Sequence, residues 1–172
     1  MPRIARFINN NHAKGNGVRT IKILLVAGMA LFLTLAAVGN ITMPDVAFGA
    51  IKTAVGMQGT FKHAMWRAIE NPVLIWMTVC GIVLFEATGA VLCWIGAARM
   101  WAGRASAESF AAGKRVARLG LGVTACLYYI GWMVIANEYF LMWQNSQINV
   151  LQDAFRLFAC AALISLWLST DD

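Results

Sequence analysis

Glu86 is the side chain in this sequence whose position most strongly suggests chemistry. It lies near the middle of an apolar run over residues 73–98 that contains no other charge. An ionisable group at the centre of an apolar helix is costly to bury, so it marks a candidate functional site. Glu86 could accept a proton, or contact a ligand or a partner helix. The alternative is a neutral acid with a structural hydrogen bond, for which the candidate partners are Thr34, Thr124, Tyr128 and Tyr129.

A second set of polar residues lies beside the ends of apolar runs that are expected to face one side of a membrane. This outer cluster consists of Arg67, Glu70, Glu138, Trp143, Gln144, Asp153 and Arg156. Its opposite charges could pair, and the expected bridges join Glu138 to Arg156 or to Arg67. Two interpretations stay open: an interfacial latch among anchoring aromatic residues, or a mouth that binds a quinone head group, a lipid or a partner protein.

The other reactive residue types form no catalytic or metal-binding pattern. The cysteines occur singly in apolar runs and are interpreted as small buried hydrophobes: Cys80, Cys93, Cys126 and Cys160. His12 and His63 are expected on opposite sides of the membrane, so they could not ligate one haem. No hydrolase, phosphate-loop or zinc-protease motif occurs. We therefore expect no enzyme, cofactor or metal, and a general-base role for Glu86 or Glu138 is the remaining catalytic alternative.

The elements that position these residues are membrane-spanning helices. The chain is 60% apolar and 13% charged, with a mean hydropathy of +0.65, whereas soluble domains are about 25% charged. Because roughly 20 apolar residues cross a bilayer, the sequence predicts one all-α domain over residues 23–168. It is a four-helix transmembrane bundle with spans at about 23–41, 73–98, 119–142 and 149–168.

The segments between the spans differ in character. Residues 42–71 are apolar with helical spacing, which predicts short amphipathic helices on the outer surface, between the first and second spans. Residues 99–118 are rich in Gly, Ala and Ser, which favours a plain inner linker. Residues 1–22 form a basic tail, interpreted as the leader of an uncleaved signal anchor.

The distribution of positive charge predicts an orientation. Five lysines and arginines lie in the tail and five in the 99–118 connection, against four elsewhere in the chain. This excess favours cytoplasmic termini in a bacterial inner membrane. The net charge of +6 is accordingly interpreted as contact with membrane lipids, not with nucleic acid.

Two sequence segments carry a resemblance to a known family. The first contains Thr60-Phe61, residues 65–69 and then Glu86; the second runs over 138–144 and continues into Ala154-Phe155-Arg156. Together they resemble an uncharacterised bacterial family of predicted small integral membrane proteins, with its E-W-F-x-M-W-Q segment. Tyr139 stands where that family usually has tryptophan, and Ile148-Asn149 replaces its usual W-N pair. The resemblance implies four transmembrane helices and brings no established activity.

Two functions remain open from the sequence. The first is a non-catalytic accessory or structural subunit of a larger inner-membrane complex, with a respiratory complex as one option. It would contact lipids and other integral membrane subunits. The alternative is a small-molecule membrane protein centred on Glu86, either a proton-coupled transporter or a module that binds a quinone or a lipid.

Overall fold

The computed structural model describes the backbone of residues 2–172 and the side chains of residues 17–172. Its helices are α1 (Pro2–Thr42), α2 (Pro44–Val55), α3 (Pro72–Ala102), α4 (Ala107–Cys126, extended as a π-helix over Leu127–Tyr139) and α5 (Leu151–Leu168). Short 3-10 turns occupy Lys62–Arg67 and Met142–Gln144. No strand occurs in this part of the chain. Four of the helices are long and apolar enough to cross a membrane, which confirms the all-α, four-span class.

Local chemistry explains where several helices begin. Proline stands in the first turn of α2 and of α3, where its missing N–H removes no helical hydrogen bond. The Asn71 side chain accepts a hydrogen bond from the Val73 N–H and caps α3. Ser106 caps α4 in the same way, accepting from the Ser109 N–H.

Helices α3 and α4 pack as a close antiparallel pair. A Cβ atom added at Gly96 would lie 2.6 Å from Ala117 Cα, and one at Gly113 would lie 2.6 Å from Met100 N. A Cβ atom at Gly120 would lie 2.8 Å from Cys93 N. The glycines therefore allow backbone to approach backbone, as is common between helices in lipid.

The two ends of the bundle differ in the residues they carry. The inner end carries Lys22, the short connection of residues 103–106, and Asp172, whose carboxylate contacts Lys22. The outer end carries α2 and both 3-10 turns. Residues 22 and 172 therefore lie at the same end. The side chains of residues 2–16, including His12 and most of the basic tail, lie outside the described residues, as does Met1.

The connections between the spans differ from the sequence expectation. The plain linker expected over 99–118 is wrong, because α3 continues to Ala102 and α4 begins at Ala107. Alanine favours helix, and the Ser106 cap starts the next one. On the outer side, α2 is a helix, but the second expected amphipathic helix is a 3-10 turn over Lys62–Arg67.

Candidate functional site

Glu86 lies on α3 at the middle of the bundle, and 5% of its surface is exposed. Its Oε2 atom accepts a hydrogen bond of 2.9 Å from Nδ2 of Asn40, near the C-terminal end of α1. Two of the four expected hydroxyl partners bond elsewhere: the Thr34 hydroxyl donates to Ala30 O, and the Thr124 hydroxyl donates to Gly120 O. The carboxyl group is thus held by an amide from a neighbouring span.

Sequence reasoning missed Asn40 as this partner. The residue lies at the end of the first apolar run, which contains no charge, and a polar amide there was a usable signal. Amide side chains commonly hydrogen-bond across helices in membranes. What the sequence did not provide was the height of Asn40 relative to Glu86, because that depends on how α1 packs against α3.

Glu86 and Asn40 line a small recess of about 90 Å³. The remaining wall is apolar and comes from α2, α3 and the π-helix: Ala47, Ala50, Ile51, Val79, Ile82 and Trp132. A carboxyl group and an amide together offer both hydrogen-bond donors and acceptors. The recess therefore presents one polar corner within an apolar surround.

A larger apolar cavity of about 280 Å³ adjoins this recess and shares Ile51, Ile82 and Trp132 with it. The rest of its lining is Ala54, Val55, Ile69, Thr78, Leu127, Gly131, Ile135, Ala136 and Phe140. Thr78 is the one hydroxyl-bearing residue among them, and its hydroxyl donates to Leu74 O of its own helix. These two neighbouring spaces, together called the chamber, are lined mainly by apolar residues, with Glu86 and Asn40 at one side.

The π-helix shapes one wall of the chamber. Its bonds join residues five apart, as in the 3.0 Å bond from Phe140 N to Ile135 O. Residues four or five apart therefore share a face. The cavity is lined by six residues at this spacing: Leu127, Gly131, Trp132, Ile135, Ala136 and Phe140. π-helical segments often occur at functional sites, which adds to the case for this chamber.

The outer cluster forms contacts other than the expected ion pairs. Arg156 pairs with Asp153 at 3.1 Å, and their side chains are 70% and 66% exposed. Arg67 Nη1 donates to Tyr139 O at 3.2 Å. Glu138 Oε1 accepts from the Asn137 amide at 2.9 Å. The expected bridges from Glu138 to Arg156 or Arg67 are therefore absent from the described part of the chain.

Other residues of the outer cluster join the two loops. Gln144 Oε1 accepts from Phe61 N at 2.9 Å, and the Phe61 and Trp143 rings meet edge to face with centroids 6.3 Å apart. Asn145 Nδ2 donates to Gln58 O at 2.8 Å. Glu70 lies apart from these contacts and lines an open polar recess of about 510 Å³. The two segments that carried the family resemblance thus contact each other directly.

The inner end holds an ion cluster that the sequence reasoning missed. Lys22 is fully buried and donates to Asp172 Oδ1 at 2.7 Å, while Lys114 donates to Asp172 Oδ2 at 3.0 Å. Burial alone would raise the pKa of Asp172, but the hydrogen bonds and charges of Lys22 and Lys114 outweigh it and hold this pKa below its usual 3.8. Asp172 therefore stays ionised near neutral pH.

Comparison with known proteins identifies the family. Residues 18–171 match the model of the family described as "Predicted small integral membrane protein (DUF2165)". No curated protein and no solved structure matches the chain. Within the described residues, no group of three or more His, Cys, Asp or Glu side chains could hold a metal ion. The match covers nearly all of the sequence, together with the four apolar helices, so the chain belongs to this family of small integral membrane proteins.

Proposed function

We propose that this protein is a non-catalytic membrane protein that binds an amphipathic small molecule, of the quinone or lipid class, in the chamber beside Glu86. The supporting observation is that the apolar cavity lies next to the recess that contains Glu86 and Asn40, with three lining residues in common. Ligand sites typically combine a mostly apolar lining with a few polar groups that orient the ligand. An apolar tail fits the cavity, and a carbonyl or hydroxyl group fits the polar corner.

The size of the chamber limits the ligand. Ligand pockets usually measure about 300–1,000 Å³, and the cavity of about 280 Å³ with its recess of about 90 Å³ lies at the low end. A single ring or a short length of chain fits, while a whole phospholipid does not. Asn40 and Glu86 can form hydrogen bonds to a ligand, but among the described residues no second acidic residue lies beside Glu86 to pass a proton on. This arrangement favours binding over proton-coupled transport.

A cavity-filling variant tests this proposal. A Cβ atom at Gly131 would meet Leu127 Cδ1 at 3.6 Å and nothing closer, so Gly131→Leu extends into the cavity without a backbone clash. Binding of a short-tailed ubiquinone analogue to protein in nanodiscs should weaken about tenfold or more, because the lost space is worth about 1.4 kcal/mol or more. Glu86→Gln should weaken binding less, since the amide keeps the side-chain volume.

The matched control is Gly122→Leu on the same helix, where an added Cβ meets nothing within 4 Å. It should bind the analogue as the wild type does. Equal binding by Gly131→Leu and Gly122→Leu would contradict a ligand in the chamber. A brominated phospholipid, measured in parallel by tryptophan quenching, distinguishes a lipid chain from a quinone ring.

The second candidate is the accessory subunit of a larger complex. Helix α5 is the least buried of the four spans, and Phe155, Leu163 and Leu166 are 53%, 65% and 64% exposed. Another membrane subunit could cover this face. Purification in mild detergent should then recover defined partners, whereas a free, homogeneous monomer would count against this function.

For either function we propose a bacterial inner membrane with the inner end on the cytoplasmic side. The positive charges of Arg19, Lys22, Arg104 and Lys114 at this end support that orientation. Cysteine labelling from the two sides of sealed vesicles tests it. A cysteine placed at Gly59 should react from outside and one at Ala105 from inside.

A further inference from the structure

Three cations from two helices meet one carboxylate at the inner end. Lys22 Nζ lies 2.7 Å from Asp172 Oδ1, Lys114 Nζ lies 3.0 Å from Oδ2, and Arg19 Nε lies 4.0 Å from Oδ2. Lys22 also donates to the carbonyl oxygens of Thr170 and Asp171, at 2.8 and 3.1 Å. The convergence of these groups makes a binding site for an anion, which Asp172 occupies.

The single carboxylate of Asp172 does not supply enough hydrogen-bond acceptors or negative charge for this site. Both of its oxygens are already used by lysines, and Arg19 Nε is buried without a hydrogen-bond partner. The side chains are well enclosed, with 0%, 14% and 16% exposure for Lys22, Lys114 and Arg19. A buried donor without an acceptor is unfavourable, and three positive charges exceed the one negative charge. An anion with more oxygens and more charge would satisfy the site better.

The site is also held in place by packing. Phe110 is fully buried, with Arg19 Cζ 5.1 Å and Lys114 Nζ 5.5 Å from its ring centroid. Arg19 Nη1 donates to Arg104 O at 2.7 Å. These contacts hold Arg19 and Lys114 without help from Asp172, so these two cations keep their positions when the carboxylate leaves.

We propose that Arg19, Lys22 and Lys114 form a phosphate-binding site in which Asp172 is a replaceable internal occupant. A phosphate group carries enough oxygens to accept from both lysines and from Arg19 Nε at once. The site lies beside the start of the first apolar run, at Ile23, and just beyond the end of α5 at Leu168. Lipid phosphates lie at this level, and basic pockets between spans bind anionic head groups. This inference is independent of the chamber beside Glu86.

The experiment counts bound phospholipid by native mass spectrometry, with phosphatidylglycerol compared against phosphatidylcholine of the same chains. Asp172→Asn should increase the retention of phosphatidylglycerol about fivefold, as expected for one charge near the surface. The matched control is Asp171→Asn, because Asp171 contributes its backbone carbonyl but no ion pair to the site. It should bind lipid as the wild type does.

Adding Lys114→Gln to Asp172→Asn should remove the gain, and circular dichroism verifies that each variant is folded. A second arm titrates inorganic phosphate against Asp172→Asn in phosphatidylcholine nanodiscs and measures the melting temperature. If phosphatidylglycerol retention increases but inorganic phosphate leaves the melting temperature unchanged, the bound group is a lipid phosphate. If inorganic phosphate raises the melting temperature, the site binds free phosphate. If Asp172→Asn and Asp171→Asn retain phosphatidylglycerol equally and inorganic phosphate has no effect, the proposal is overturned.

Discussion

From Gly89 to Ala102, α3 lies against α4 with glycines at the points of contact, whereas from Thr78 to Glu86 the same helix lines a chamber. The inner half uses small residues to bring backbones together. The outer half places larger side chains, a surface helix and a π-helix around open space. One helix thus serves two purposes. Its inner half fixes the bundle, and its outer half leaves room for a ligand.

The largest effect is expected in the inner half of α3, where close packing against α4 should be essential for stability. Gly96→Leu places a Cβ atom 2.6 Å from Ala117 Cα, so α3 and α4 must separate. We expect a loss of about 3 kcal/mol in the free energy of unfolding, measured by melting in detergent. Gly81→Leu on the same helix is the control, because a Cβ atom added at Gly81 meets nothing within 4 Å. Equal melting of the two variants would show that close packing is not essential.

In the outer half, the Asn40–Glu86 hydrogen bond should contribute a measurable interaction free energy between α1 and α3. A double-mutant cycle with Asn40→Ala and Glu86→Ala should give an interaction free energy of about 1 kcal/mol, which is typical of such bonds between membrane helices. The same cycle with Thr34→Ala and Glu86→Ala should be additive, because Thr34 bonds to Ala30 O and to Trp94 Nε1. Coupling to Thr34 instead would restore the partner expected from the sequence.

The outer loop should depend on backbone conformation more than on packing. Gly59 has φ = +78°, so Gly59→Ala should destabilise by about 1 kcal/mol. Gly49→Ala, within α2, should stabilise by about 0.5 kcal/mol because alanine favours helix. Chemical denaturation of both variants measures these opposite signs. A shift of the same sign in both would argue against the described turn.

The inner ion cluster predicts a pH dependence. The pKa of Asp172 is lowered in the folded protein, so its contribution to stability is full above its ordinary value of 3.8. That contribution is lost as the pH falls through the lower folded value. The melting-temperature difference between wild type and Asp172→Asn should stay constant from neutral pH to about pH 5 and shrink only in stronger acid. A change near neutral pH would indicate a different titrating group.

The smallest effect is expected at the exposed pair of the outer end. Arg156→Ala removes an ion pair to Asp153 whose side chains are 70% and 66% exposed. The change in unfolding free energy should be below about 0.5 kcal/mol in purified protein. A much larger effect in native membranes than in detergent would indicate a partner subunit at Arg156, and would favour the accessory-subunit function.

The spans were predictable from sequence because lipid demands long apolar helices, a requirement that each run reveals by itself. The position of Glu86 within its span was equally predictable, because it depends only on the apolar run around it. Its partner Asn40 was not, because the height of α1 against α3 follows from packing across the bundle. The π-helix was hidden for a related reason: sequence patterns were compared with a repeat of 3.6 residues, which that segment does not follow.

Charge patterns were the weakest guide to contacts. Glu138 was expected to pair across the outer end, yet Arg156 contacts Asp153, three residues earlier on its own helix. Such near neighbours compete well because they need no tertiary arrangement. The Asp172 cluster was missed for the opposite reason, since its partners are far apart in the sequence and meet only when α1 and α5 are both in place.

The contact between Lys22 and Asp172 spans 150 residues, which has a consequence for biosynthesis. Helices α3 and α4 can enter the bilayer together as a hairpin, because they are neighbours in the chain. The contact of Lys22 can form only once residues 170–172 exist, and these are translated after the four described spans. Until then its ammonium group has to remain hydrated at the membrane surface, because a charged group is costly to bury in the hydrocarbon core. Closing this contact is therefore a late event of assembly, and chains truncated before Thr170 should leave α1 more accessible to membrane proteases.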